Sequence, residues 1–172
     1  LGYATFTATL TVTGSASSGT ANWDVHFKSG RFLQADGSSV DTTHGGTITL
    51  STTSTTNDTM TVNGINLAYP GDGVLLEVVV ENSGTIPAEL TGFTITPTSD
   101  TDFEVTQAAG GPTVNEDLAA NGGTCTATFL VKWKTNSTAT SLTGKSFTIT
   151  YNYGQDTTEF TGTPSHADAA GS

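Results

Sequence analysis

The beginning of the chain alternates between apolar and polar positions with a period of two. The even positions hold Ala4, Phe6, Ala8, Leu10 and Val12, and threonine occupies every odd position from 5 to 13. Successive side chains of a β-strand point to opposite faces, so this pattern predicts a long strand with one apolar and one hydroxyl-bearing face. The small and polar residues at 14–19 are interpreted as a hinge.

Comparable patterns recur along the rest of the chain. They predict further strands near residues 22–28, 47–53, 60–67, 74–81, 86–96, 100–105, 124–135 and 147–153. The near-continuous apolar run at 74–81 is typical of a strand buried on both faces. Turn signals lie at 57–59, at Asn63-Gly64, at 69–73 and at 82–85. Residues 29–46 are interpreted as a loop anchored by Phe32 and Leu33, and residues 107–123 as a connection with one helical turn near 114–120.

Short strands separated by regular turn signals predict an all-β fold, a jelly-roll or immunoglobulin-like β-sandwich. A length of 172 residues suits a single domain with a substantial core. The predicted layout is an N-terminal strand at 1–13, the hinge at 14–19, a sandwich domain at 20–161 and a C-terminal tail at 162–172. The N-terminal strand behind its hinge is available for donor-strand exchange with another domain.

The net charge of −11 arises from few cations, since only five lysine and arginine residues face sixteen acidic ones. Such a surface repels phosphate backbones and anionic lipid, so nucleic acid is not expected as a partner. No apolar run is long enough to predict a membrane span. The acidity favours solubility, and it raises the alternative that some carboxylates bind Ca²⁺.

Three acidic groups are candidates for a calcium site, which needs six to eight oxygen ligands. The first is the predicted metal set of Asp100, Asp102 and Glu104; the others are Asp72 and the loop with Asn115, Glu116 and Asp117. No EF-hand spacing occurs, and the alternative is a solvated acidic face. Apart from this calcium, no cofactor is predicted.

No catalytic motif is recognisable, so the chain is not expected to be an enzyme. His26, His44 and His166 are spread over a predicted strand, a loop and the tail, and Cys125 is expected to pack as a small apolar residue. Two glycosylation sequons begin at Asn57 and Asn136, both in predicted loops.

Four motifs resemble one protein family. They are Tyr-Ala-Thr-Phe-Thr-Ala-Thr-Leu at the start, Asn-Trp-Asp-Val-His-Phe, Leu-Ala-Tyr-Pro-Gly-Asp, and Val-Val-Val-Glu-Asn-Ser-Gly-Thr-Ile-Pro-Ala-Glu-Leu. Over residues 1–95 the chain resembles the TasA/camelysin group of secreted prokaryotic proteins. A start at Leu1 rather than Met fits an extracellular mature form after signal-peptide removal.

The resemblance implies a jelly-roll subunit of extracellular, pilus-like or biofilm-matrix fibres, in which the first strand of one subunit completes the sheet of the next. The implied donor residues are Ala4, Phe6, Ala8, Leu10 and Val12, and the implied partners are identical subunits in a head-to-tail homopolymer. The acceptor walls are expected near residues 74–80 and 129–133. Camelysin members are described as metalloproteases, but recognisable zinc ligands are missing from this sequence. The alternative function is a monomeric surface adhesin or carbohydrate-binding sandwich that keeps the first strand in its own sheet.

Overall fold

The computed structural model describes residues 4–15, 22–54 and 57–156. This part of the chain is all-β and contains no helix. Its strands are β1 (Ala4–Ser15), β2 (Val25–Gln34), β3 (Thr47–Ser54), β4 (Asn57–Leu67), β5 (Gly73–Asn82), β6 (Ala88–Thr96), β7 (Phe103–Gly110), β8 (Asp117–Leu118), β9 (Gly123–Trp133) and β10 (Ser146–Gln155).

The strands form two sheets that share one core, so the predicted all-β sandwich is confirmed. The larger sheet has the order β3-β4-β1-β10-β6-β8, and the smaller one has the order β2-β5-β9-β7. One continuous cluster of buried side chains from both sheets fills the space between them. The finer expectation of a jelly roll stays a prediction.

Aromatic side chains dominate the middle of this core. The Tyr151 ring lies edge-on to Phe27 and Phe93, with ring centroids 5.9 and 5.1 Å away. Edge-to-face pairs of this kind favour the attraction between ring edge and ring face. Trp23 and Trp133 are 9% and 1% exposed, so both tryptophans belong to the core.

Parts of the predicted loops and turns are strands in the structure. Residues 29–34, predicted as the start of a loop, continue β2, and a register shift between Phe27 and Ser29 interrupts its alternation. An extra residue at such a bulge moves later side chains to the opposite face, which hides the strand from a period-two reading. Residues 57–59, predicted as a turn, begin β4. Gly64, at the Asn-Gly turn signal, lies inside β4 with φ of 81°.

Three further predictions are wrong in detail. In β5 only residues 74–76 are buried consecutively, and Glu77, Val79 and Glu81 are half-buried on the outer face. Asp100 and Asp102 precede β7 instead of lying on a strand. Residues 114–120 form a turn and the short strand β8 rather than a helical turn.

Candidate functional site: the slot of the N-terminal strand

The first strand lies in the interior of the larger sheet. It pairs antiparallel with β4, from Ala4 opposite Leu67 to Thr13 opposite Asn57. On its other side it runs parallel to β10, from Thr7 beside Ser146 to Ser15 beside Gly154. This is the only parallel pairing among the described strands, and it joins the earliest described strand to the last one.

The apolar face of β1 is part of the core. Ala8, Leu10 and Val12 are at most 1% exposed, as their alternation predicts. The backbone of Ala4 and Phe6 belongs to β1, and their side chains lie outside the described part. Of the five predicted donor residues, three are therefore seen to bury their side chains.

The strands that flank β1 differ from the predicted walls. β4 and β10 border the slot, and they contribute the buried side chains of Met60, Val62, Phe147, Ile149 and Tyr151. The predicted walls at 74–80 and 129–133 are β5 and β9, which belong to the opposite sheet. Both runs are hydrophobic because they line the same core, and hydrophobicity alone does not reveal which strands are hydrogen-bonded neighbours.

The end of β1 fits tightly against β10. A Cβ atom placed on Gly14 would collide with the Tyr153 carbonyl oxygen and would lie 2.7 Å from Trp23 Cζ2. Nearby, the Thr13 hydroxyl donates a hydrogen bond to Asn152 Oδ1 at 2.5 Å. The predicted hinge includes Gly14 and Ser15, but in the structure both residues belong to β1. The remaining residues of the predicted hinge lie outside the described part.

Two of the three predicted calcium ligands meet around a lysine. Lys145 Nζ lies 2.6 Å from Asp100 Oδ2 and 3.3 Å from Asp102 Oδ2. The other Asp100 oxygen, Oδ1, accepts the N–H groups of Asp102 and Phe103, and Asp102 Oδ1 accepts the Ser137 hydroxyl. The Lys145 ammonium group thus bridges the two carboxylates.

These partners account for the pKa values at the cluster. Burial by itself raises the pKa of Asp100, but the Lys145 ammonium and the two backbone N–H groups outweigh it and hold the value below the usual range. The hydrogen bond from Ser137, followed by that from Lys145, lowers the pKa of Asp102 despite partial desolvation.

The remaining acidic candidates lie elsewhere. Glu104 is on β7 opposite Lys132 of β9, and Asp72 follows the turn after β4. Glu89, Asp117 and Asp156 form a different acidic group, in which one oxygen from each carboxylate lies within 4.8 Å of the others. Asp117 was a candidate, whereas Glu89 and Asp156 were missed because only the sheet order brings β6, β8 and the end of β10 together.

His44 is held between two aspartates from different segments. Its Nδ1 lies 2.7 Å from Asp41 Oδ2, and its Nε2 lies 3.1 Å from Asp72 Oδ2. Burial by itself lowers the pKa of His44, but the hydrogen bond with Asp41 and the charges of Asp72 and Asp41 raise it above the usual value. We call Asp41, His44 and Asp72 the histidine clasp. His26 contacts Asp24 and Glu81, and His166 lies outside the described residues.

The remaining candidate residues are a cysteine and two asparagines. Cys125 is a buried residue of β9, and burial raises the pKa of its thiol to about 11, which confirms its prediction as a packing residue. Asn136 is exposed in a turn, whereas Asn57 is the first residue of β4 and not a loop residue. Within the described ranges, no helix has the length and apolar character needed to cross a membrane.

Comparison of the chain with protein families, with curated proteins and with solved structures finds no match.

Proposed function

We propose that this protein is the structural subunit of a secreted, extracellular filament that assembles by donor-strand complementation. The observation that carries the proposal is the position of β1: the earliest described strand fills an interior slot of the larger sheet and pairs along both of its edges. In the filament, β1 of one subunit occupies the slot between β4 and β10 of the next. The resemblance to the TasA/camelysin group supports the extracellular setting.

The energetics of the slot favour its being filled. Burying Leu10 and Val12 contributes about 1.5–3 kcal/mol each. Each main-chain hydrogen bond to β4 or β10 adds about 0.5–1.5 kcal/mol. An empty slot would expose Met60, Ile149 and the rest of its apolar lining, and it would leave two strand edges unpaired. A subunit without its own strand in place is thus a strong acceptor for the same strand from a neighbour.

The contact geometry supports a chain-like polymer rather than a closed dimer. The donor strand and the slot are different surfaces of one subunit, so each subunit in the polymer gives one strand and receives another. Such a heterologous contact repeats into an open, head-to-tail assembly unless its rotation closes a ring. The first part of the connection from β1 to β2, residues 16–21, consists of small and hydroxyl-bearing residues, a composition that suits a connection between subunits.

A second function is a monomeric surface adhesin or carbohydrate-binding module. It is favoured by the fact that β1 lies in the sheet of its own chain. A strand from a neighbouring copy would make the same contacts with β4 and β10, so the two functions differ in connectivity and not in local structure. An experiment that distinguishes the two functions must therefore determine which chain supplies β1.

A disulfide crosslink between β1 and β4 determines this connectivity. Thr9 lies directly opposite Thr61, so the variant Thr9→Cys/Thr61→Cys joins β1 to whichever chain provides the slot. The variant is made in a Cys125→Ala background, assembled at high concentration, oxidised, and run on a denaturing gel without reductant. Donor-strand exchange predicts a ladder of covalent multimers from the filament fraction.

The matched control is Thr49→Cys/Thr61→Cys in the same background. Thr49 also lies opposite Thr61, but β3 and β4 are consecutive strands of one chain and the bond stays within that chain. This control should run as a single band in every fraction. If the Thr9→Cys/Thr61→Cys variant forms filaments but also runs as a single monomeric band, donor-strand exchange is overturned. If the protein stays monodisperse at all concentrations, the filament itself is overturned.

A further inference from the structure

The outer face of the larger sheet carries hydroxyl groups in register across five strands. One row consists of a single threonine from each of β3, β4, β1, β10 and β6, namely Thr49, Thr61, Thr9, Thr148 and Thr96. The neighbours of Thr9 along β1, Ala8 and Leu10, are buried in the core, so this row points away from it.

A second row lies two residues along each strand. Its members are Ser51, Thr59, Thr11, Thr150 and Thr94, again one from each strand in the same order. Neighbouring strands are about 4.8 Å apart, and the two rows are about 7 Å apart. All ten side chains are exposed or half-exposed. We call these two rows the hydroxyl face.

The hydroxyl face is free of charge. The single charged residue in β1, β3, β4 and β10 is Asp58, which is buried and accepts the Phe27 N–H on the core side. In β6 the charged residue is Glu89, near the opposite end of the strand from Thr94 and Thr96. The ten positions of the hydroxyl face therefore carry no charge, although the chain has a net charge of −11.

The outer face of the smaller sheet, in contrast, carries charged side chains. Arg31 pairs with Glu77 at 2.7 Å and Lys28 pairs with Glu81 at 3.2 Å. Glu104 and Lys132 lie opposite each other at the other side of this sheet. On the larger sheet, apart from the buried Asp58, the charged side chains of the strands are Glu89 and Asp117, at its β6–β8 side and outside the hydroxyl face.

We propose that the hydroxyl face is a self-association surface, on which two copies of this chain pack face to face. Two acidic molecules repel each other least where neither carries charge, because exposed charges act over a distance of about 8–10 Å at moderate salt. The short threonine and serine side chains lose little rotamer freedom on contact, and their methyl and hydroxyl groups pack against their counterparts across aligned sheets.

The size of the surface predicts a weak contact. Five strands over about six residues cover about 400–500 Å² per copy. The total of about 800–1,000 Å² lies below the range of stable interfaces, so a single pair of copies associates transiently. The face contains Thr9 and Thr11 whether β1 comes from the same chain or from a neighbour. The inference goes beyond the proposed donor-strand contact and does not depend on it.

A partner other than a second copy fits less well. Nucleic acid and charged lipids need ionic partners, which this face does not offer. Sugar-binding platforms commonly stack aromatic rings on the ligand, whereas both rows consist of hydroxyl side chains alone.

The test introduces like and opposite charges at the centre of the first row. Thr61→Glu/Thr148→Glu and Thr61→Lys/Thr148→Lys change two strands other than β1, and the concentration dependence of sedimentation velocity measures association. Each double variant alone should associate at least about tenfold more weakly than the original protein, because like charges then face each other. An equimolar mixture of the two variants should regain association, and added salt should weaken it.

The matched control is Thr106→Glu/Thr126→Glu, which adds the same charge at exposed positions on the smaller sheet. This control should associate like the original protein apart from the general effect of net charge. Association that survives both double variants, or a mixture that fails to regain it, overturns the proposal. Retention of a monomeric protein on a neutral polysaccharide, lost in Thr61→Glu/Thr148→Glu, would assign the face to a glycan and also overturn it.

Discussion

Gly14 and Tyr153 lie side by side in the parallel pair of β1 and β10, so close that a side chain at position 14 would meet the Tyr153 carbonyl oxygen. The hydrogen atom of glycine is what allows the end of β1 to sit fully in its slot. A position that looks like the start of a flexible hinge in the sequence is thus a packing position in the fold.

Gly14→Val should loosen the end of β1. The added carbons cannot fit beside Tyr153 and Trp23 without a backbone shift, and overpacking of this kind costs about 1–3 kcal/mol of unfolding free energy. Chemical denaturation measures the loss, and the filament fraction should fall with it. Thr7→Val, at an exposed position of the same strand, is the control and should change stability by less than about 0.5 kcal/mol. Equal stability of both variants would contradict the tight fit.

Asn82 closes the turn that follows β5. It is fully buried, its Nδ2 donates to the carbonyl oxygens of Ile86 and Leu118, and its Oδ1 accepts the Gly84 N–H. Asn82→Ala removes the side-chain hydrogen bonds of three backbone groups in a buried turn and should cost about 2–4 kcal/mol of unfolding free energy. The exposed neighbour variant Ser83→Ala should be close to neutral in the same denaturation experiment. A neutral Asn82→Ala would show that water replaces the side chain.

The histidine clasp should make stability depend on pH near neutrality. Because the pKa of His44 is raised in the folded state, its contribution is complete below about pH 6.5 and is lost as the pH rises through the folded value. Burial raises the pKa of Asp41, but N–H groups of His44 and Thr43 and the His44 ring outweigh this and lower it. The Asp41 contribution is therefore present above about pH 4 and is lost in more acidic solution.

His44→Gln tests the clasp. The melting temperature of the original protein should exceed that of the variant by more at pH 6 than at pH 8. The control is His26→Gln, which removes a histidine paired with Asp24 and Glu81 and leaves the clasp intact. If the difference in melting temperature between the original protein and His44→Gln is the same at pH 6 and pH 8, the raised pKa of His44 in the clasp is contradicted.

Calcium should have little effect at Asp100 and Asp102, because Lys145 already bridges both carboxylates. We expect the melting temperature to be the same in calcium and in chelator. Lys145→Met removes the bridging charge and should lower the melting temperature, since two neighbouring carboxylates then repel each other. A rise of the original protein's melting temperature with calcium, absent in Asp102→Asn, would instead support the predicted metal set.

The sequence predicts strands well where alternation is unbroken and poorly where the backbone shifts. The period-two pattern of β1 and that of Phe147, Ile149 and Tyr151 in β10 are visible directly, since each strand has one buried face. The bulge after Phe27 hides the second half of β2, because it changes which positions face the core.

Neighbour relations in the sheets are harder to predict. Apolar strands look alike in sequence whether they flank β1 or lie across the core from it. The sequence therefore predicts β5 and β9 as the walls, whereas β4 and β10 are the neighbours of β1 in the structure. Ion pairs between residues far apart in the sequence are equally hard to predict. Lys145 reaches Asp100 over 45 positions of the chain, and only the folded sheet order brings the two together.

The parallel contact between β1 and β10 also sets an order of events during synthesis. β1 is made before every other described strand, and its partner at residues 146–155 is made after all of them. The larger sheet therefore cannot close within a single chain until the ribosome has passed residue 155, and β1 must wait unpaired on its β10 side for the whole of that time. Contacts of such long sequence separation form slowly, and each newly made chain offers a free strand during that interval.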